Sequence, residues 1–236
     1  MHYVMSDLHG QYDLYRKMME QLPLSAGDTL YVLGDVLDRG PHPIQILLDM
    51  MERPNVVFLW GNHEQIGFPC LRFLTQEHTG QRSDPSALDL MGILRAWQEH
   101  SGQTTVDEFL ALDRETRRAV VDYLEGAKQY QTVKAGGKTY ILVHGGLGNF
   151  ASYRPLWDYS TDELVWSRPD YEVPYFTDHR YVVAGHTPTQ TIPGCPAPGY
   201  IFRKNHHIAI DCGAFLPEGR LGCLRLEDER EFYVDH

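Results

Sequence analysis

Five short clusters, each placed directly after an apolar run, constrain this 236-residue chain more than any bulk property. They are Ser6-Asp7-Leu8-His9-Gly10, Gly34-Asp35-Val36-Leu37-Asp38-Arg39-Gly40, Gly61-Asn62-His63-Glu64, His144-Gly145-Gly146 and Gly185-His186-Thr187. An apolar run that stops at glycine and polar residues reads as a buried strand opening into a loop. Asp7 and Asp35 are 28 residues apart, and Asp35 and Asn62 are 27 apart. A strand, turn, helix and turn need about 30 residues. Equal steps of that size set three strand ends side by side, each carrying a polar group.

The segments between the clusters fit that reading. Tyr3–Met5, Thr29–Leu33 and Val56–Trp60 are the apolar runs. Tyr12–Leu22 carries Leu14, Met18 and Leu22 at helical spacing, and Pro43–Met51 carries Ile44, Leu47, Leu48 and Met51 on one face, with Pro43 suited to a first turn. A βαβαβ unit of this kind predicts a parallel sheet with ligands beyond its carboxyl ends. Residues 66–129 read as a mostly helical insertion, with breaks near Gly80–Pro85 and Ser101–Thr105. From Tyr130 onward the pattern is β. Tyr130–Val133 and Lys138–Val143 flank a glycine turn, Tyr181–Ala184 and His207–Ile210 precede His186 and Asp211, and Leu221–Leu226 pairs with Arg230–Val234. The expected class is α/β, in one domain spanning residues 1–236.

Composition narrows the function. Lys and Arg number 21 against 32 Asp and Glu, a net charge of −11. That argues against broad nucleic-acid or anionic-membrane partners, which need basic surface. It leaves room for a small phosphate pocket whose positive charge is local. No apolar stretch approaches the roughly 18 residues of a membrane span. The opening residues lack the layout of a signal peptide. Cys70, Cys195, Cys212 and Cys223 form no C-x-x-C pair and read as reduced thiols of a cytoplasmic protein.

The clusters supply aspartate, asparagine and histidine, with no sulfur. Two divalent cations a few ångströms apart need a bridging anion, and a carboxylate serves. Asp35, the middle aspartate, is the candidate bridge. Asp7 and His9 would complete one metal, and Asn62, His144 and His186 the other. Mixed oxygen and nitrogen donors suit Mn²⁺, Fe or Zn²⁺ better than an all-oxygen calcium cage.

The ordered motifs Asp-x-His-Gly, Gly-Asp-x-x-Asp-Arg-Gly, Gly-Asn-His-Glu, His-Gly-Gly and Gly-His-Thr resemble the phosphoprotein phosphatase family of metallophosphoesterases, in particular its small bacterial and phage members. The Asp38-Arg39 pair carries most of that resemblance. It implies a calcineurin-like metallophosphoesterase fold, a central β-sandwich flanked by helices. It also implies hydrolysis by a water activated between two metal ions, manganese foremost. By the same resemblance His63 is the general acid, Asp38 orients it, and Arg39 binds phosphate. Arg168, in Val165-Trp166-Ser167-Arg168-Pro169, is the expected second phosphate-binding arginine, with Arg154, Arg180 and Arg203 as competitors. The implied substrates are phosphorylated proteins or small phosphoesters. Symmetrical diadenosine tetraphosphatases carry closely similar motifs and form the alternative. A non-catalytic phosphoprotein-binding module is the third.

The chain departs from the family pattern at Trp60, where arginine often stands. Such a tryptophan either covers the site or fills the core. Asp211 is expected as a structural acceptor beside the site. Two other phosphate chemistries drop out. Ala135-Gly136-Gly137-Lys138-Thr139 lacks the leading glycine of a P-loop and precedes a strand. No cysteine has the arginine six positions later that a cysteine phosphatase needs.

Overall fold

A computed structural model describes residues 1–75 and 85–236. Three parallel strands lead: β1 (His2–Met5), β2 (Thr29–Leu33) and β3 (Val56–Leu59), joined through α1 (Tyr12–Gln21) and α2 (Pro43–Met51). Helices α3 (Asn62–Thr75), α4 (Pro85–Trp97), α5 (Gln103–Ala111) and α6 (Arg114–Glu125) follow. Next come β4 (Tyr130–Ala135), β5 (Lys138–Val143), the short α7 (Thr161–Val165), β6 (Arg180–Ala184), β7 (Phe202–Lys204) and β8 (His207–Ala209). An antiparallel pair, β9 (Arg220–Arg225) and β10 (Glu231–Asp235), ends the order.

These strands form two five-stranded sheets, ordered β10-β9-β1-β2-β3 and β4-β5-β6-β8-β7. Side chains alternate across a strand, so successive residues feed opposite faces. Val4, Tyr31, Leu33 and Leu59 point from the first sheet into a shared core with Tyr140, Leu142, Val183 and Ile208 of the second. Their neighbours Tyr3, Met5, Leu30 and Val32 face the other way and pack under the helices. On the far side of the second sheet, Ile141, Val143, Val182 and Ala184 pack with Leu164 and Val165 of α7. Strands covered on both faces read as unbroken apolar runs, which is why they stand out in the sequence. The result is two mixed sheets packed face to face and flanked by helices, the sandwich expected from the sequence.

One expectation fails. The break near Ser101–Thr105 is absent, because α4 runs through a π-helical turn (Gln98–Gly102) directly into α5. Gly102 lies so close to the Trp97 indole that a Cβ there would overlap the ring. A single widened turn is the form such irregularities take inside helices, frequently at functional sites. The break expected near Gly80–Pro85 lies outside the described residues up to Pro85, where α4 begins.

Candidate active site

The two sheets direct their parallel strands so that six of them end at one edge. Asp7 follows β1, Asp35 follows β2, Asn62 follows β3, His144 follows β5, His186 follows β6 and Asp211 follows β8. Bonds between the sheets fix that edge. His144 Nδ1 donates to the Leu33 carbonyl at 2.6 Å, and His186 N donates to Asp7 Oδ2 at 3.0 Å. Within the first sheet's loops, Asp7 N reaches Gly34 O at 3.1 Å and His9 N reaches Asp35 O at 2.8 Å.

Six site residues occupy the left-handed backbone region: Asp7, His9, Asp35, Asp38, Arg39 and His186. Such conformations are costly for side-chain-bearing residues and cluster where geometry serves a function. Two glycines admit the close approach. A Cβ at Gly61 would overlap the Asp35 carboxylate, and one at Gly185 would overlap that of Asp7.

Among the described residues, two groups of side chains could each hold a metal ion: His9, Asp35 and His63, and Asp35, His144 and His186. Asp35 belongs to both. Its Oδ2 lies 3.5 Å from His9 Nε2, and its Oδ1 lies 3.3 Å from His144 Nε2. His9 Nδ1 donates to Leu37 O at 3.0 Å, which leaves Nε2 as the free lone pair facing Asp35. Asn62 Oδ1 sits 3.0 Å from His144 Nε2. Asp7 lines the same cleft and accepts from Ser6 Oγ at 2.5 Å as well as from His186 N. The donor set fits divalent cations. Asp7, Asp35 and Asp211 are all at most 2% exposed, a concentration of carboxylates that calls for positive charge.

The titration behaviour of these groups has the same origin. Burial pushes Asp7 up to about 6, and nearby Asp35 adds to it. Burial also raises Asp211, with Asp7 contributing. For Asp35, burial opposes the charge, but His144 and His63 outweigh it and hold the carboxyl well below its ordinary value. His144 moves the other way. Burial works against its charge, yet Asp35 and Asp7 lift it to about 10. Burial drives His9 and His186 down to about 3.

His63 bonds through Nδ1 to Asp38 Oδ2 at 2.6 Å. Asp38 has no solvent exposure, and its oxygens accept from Trp97 Nε1 at 2.7 Å, Ser101 Oγ at 3.1 Å and Thr105 Oγ1 at 2.9 Å. Burial works against a proton on His63, but Asp35 and Asp38 outweigh it and raise its pKa. Arg39 lies 3.2 Å from His63 Nε2 and rests over the Phe215 ring at 4.1 Å. Arg168 also lines the cleft, with Nη1 donating to His186 O at 3.1 Å and Thr187 Oγ1 at 3.0 Å. Its competitors are paired elsewhere: Arg154 with Glu163, Arg180 with Asp178 and Arg203 with Glu231. Asp7, His9, Asp35, Asn62, His63 and His186 line a cleft of about 400 Å³ together with Arg39 and Arg168. It can take an anion against cationic side chains and protonate it from one side.

The family model for calcineurin-like phosphoesterases matches residues 3–200. The chain belongs to that family. Relatives with matching segments include a symmetrical bis(5'-nucleosyl)-tetraphosphatase of Acidovorax ebreus (strain TPSY). It is 29% identical over 147 residues, which are 61% of this chain and 43% of the relative. A class 3 fructose-1,6-bisphosphatase of Lactococcus lactis subsp. cremoris (strain MG1363) is 26% identical over 98 residues, 42% of this chain and 13% of the relative. Both matches thus span less than half of the relative's length. Among solved structures, one assigned as a diadenosine tetraphosphatase superposes with a TM-score of 0.64 at 16% identity, covering 99% of this chain and 92% of that one. A serine/threonine phosphatase of Saccharomyces cerevisiae superposes with a TM-score of 0.57 at 13% identity, covering 100% and 80%. At such identities the likeness concerns the fold.

Sequence reasoning missed three parts of the centre. Glu64 is fully buried and accepts from the backbone N–H groups of Asp35, Val36, Leu37 and Gly61, at 2.7 to 3.1 Å. Its place in the Gly-Asn-His-Glu cluster was the available signal. Trp97, Ser101 and Thr105 reach Asp38 from a helical segment that carries no motif. Phe215 stacks under Arg39 from the loop after β8. Trp60 proves a packing residue. Its Nε1 donates to Leu124 O at 2.6 Å and its ring meets Phe68 at 5.3 Å, away from the cleft lining.

Proposed function

We propose that the protein is a metal-dependent phosphomonoester hydrolase whose substrates are phosphorylated serine and threonine side chains, as in the small bacterial and phage phosphoprotein phosphatases. The observation that carries this reading is the His63–Asp38 pair set beside two adjoining groups that could hold metal, with Arg39 and Arg168 lining the same cleft. Asp7, His9, Asp35, Asn62, His144 and His186 would hold two cations, with manganese the expected pair. When bound, these would lower the pKa of a water and neutralise phosphate charge.

The chain's own residues then have defined tasks. Arg39 and Arg168 hold phosphate oxygens, each presenting a guanidinium that stays charged. Asp38 fixes the His63 ring through Nδ1, so that Nε2 faces the cleft and delivers its proton to the leaving oxygen. Phe215 backs the Arg39 guanidinium and limits where it can move. In this reading residues 1–236 act as one unit, and residues 66–129 contribute the support of Asp38.

A second reading, symmetrical hydrolysis of dinucleoside tetraphosphates, is favoured by one observation. The Acidovorax ebreus relative of that name matches over 61% of this chain. A direct comparison decides between them. Manganese-loaded protein is expected to release inorganic phosphate from a phosphoserine peptide with kcat/KM above that for diadenosine tetraphosphate. Turnover of the dinucleotide alone would overturn the protein-phosphatase reading.

A further inference from the structure

Gln65 lies on α3 two residues beyond His63, and Trp166 lies two residues before Arg168. The Gln65 carboxamide joins these two sides of the cleft. The Trp166 indole N–H donates to Gln65 Oε1 at 2.7 Å, and Gln65 Nε2 donates to Asp162 Oδ1 at 2.6 Å. Trp166 N donates to Asp162 O at 3.0 Å, so the three residues form a closed ring of bonds. Asp162 is itself anchored, because it sits in the first turn of α7, whose start is fixed by a capping box between Ser160 and Glu163. An amide side chain can accept and donate at once, and Gln65 accepts through its oxygen and donates through its nitrogen.

Trp166 is 45% exposed, so burial alone holds it weakly. Its ring nevertheless stands on the cleft wall, 6.2 Å from the His186 ring. The bonds of Arg168 to His186 O and Thr187 Oγ1 fix one guanidinium nitrogen. The segment that leads to Arg168 is tied across the cleft through Trp166. We propose that Gln65 is a positioning residue for phosphate capture. By holding Trp166 it sets Arg168 against the His63 side of the cleft at the spacing a phosphate needs. This rests on the reading of the cleft as a phosphoester site.

The test measures inorganic phosphate binding to manganese-loaded protein by calorimetry, which does not depend on turnover. Gln65→Leu is expected to weaken phosphate binding roughly threefold to tenfold, the scale of losing one or two such hydrogen bonds. KM for a phosphopeptide should rise in step, with kcat changed far less. Trp166→Phe keeps the ring, removes the N–H, and should reproduce the effect without adding to it in the double variant. In an Arg168→Ala background, Gln65→Leu should cause no further weakening. Unchanged phosphate affinity in both single variants would overturn the proposal. So would an equal loss from Gln65→Leu in the Arg168→Ala background, since Gln65 would then act independently of Arg168. If wild-type protein binds phosphate yet hydrolyses no phosphomonoester, the proposed reaction falls, while the calorimetric comparison still decides the role of Gln65.

Discussion

His63 is bound by geometry on two sides. Nδ1 is committed to Asp38, while Nε2 lies 3.2 Å from Arg39 and 3.9 Å from Asp35. It therefore stands near enough to the first metal-capable group to be counted in it, yet its ring is already oriented by a buried carboxylate. If it is the proton donor, His63→Asn should lower kcat by roughly 10²–10⁴-fold, the range for general acid catalysis. Manganese content, read by elemental analysis, should stay at the wild-type value. If the variant loses a metal ion, His63 is a ligand instead. Its pairing with Asp38 is expected only through the family resemblance that the clusters carry, and the structure shows the bond. The role of Glu64 is not legible in the sequence, although it stands beside His63. A carboxylate that accepts four backbone N–H groups serves the loop that carries Asp35, and nothing in a linear pattern records which backbone groups a side chain will meet.

The π-helical turn and the start of α5 show why an element can matter without a motif. Trp97, Ser101 and Thr105 lie 59 to 67 residues from Asp38 in the chain and converge on its carboxylate. From the sequence a helix break is expected near Ser101–Thr105. In the fold the Ser101 and Thr105 hydroxyls donate to the buried Asp38 carboxylate, and the helix continues through one widened turn. Thr105 has no solvent exposure and is bonded twice, accepting from Asp38 N at 3.0 Å and donating to Asp38 Oδ1. Thr105→Val keeps the shape and removes both bonds. It should destabilise the protein by about 2 kcal/mol, the order of leaving a buried donor and acceptor without partners. Urea unfolding of metal-loaded protein at constant pH measures this. A change under about 0.5 kcal/mol, the usual range for surface substitutions, would mean that the network does not stabilise the fold. The strand-and-ligand elements were legible for the opposite reason. Each is short, apolar on both faces, and ends at its own functional residue.

At the scale of the whole molecule, the two sheets meet at an edge where His144 and three buried aspartates share a small volume. With burial opposing every charge, a proton and a metal ion compete for the same place. The raised pKa of His144, about 10, means that the folded chain holds this proton more tightly than the unfolded chain, whose imidazole titrates near 6.5. That stabilising contribution is complete below the unfolded value and is lost as pH rises through about 10. Asp7 behaves alike in a lower window, its contribution fading as pH rises through about 6. Metal binding requires these groups to be deprotonated, so loading should expel protons and weaken as pH falls. Chelator-treated protein should therefore lose thermal stability between pH 7 and pH 10. Manganese-loaded protein should be flatter over that range, because its His144 has already given up the proton. Calorimetric manganese titrations at pH 7.5, in buffers of differing ionisation enthalpy, should show release of about one proton. His144→Asn should abolish that release and weaken manganese binding. Metal uptake with no proton exchange at pH 7.5 would place the cations away from His144, and with it overturn the division of the centre into two groups sharing Asp35.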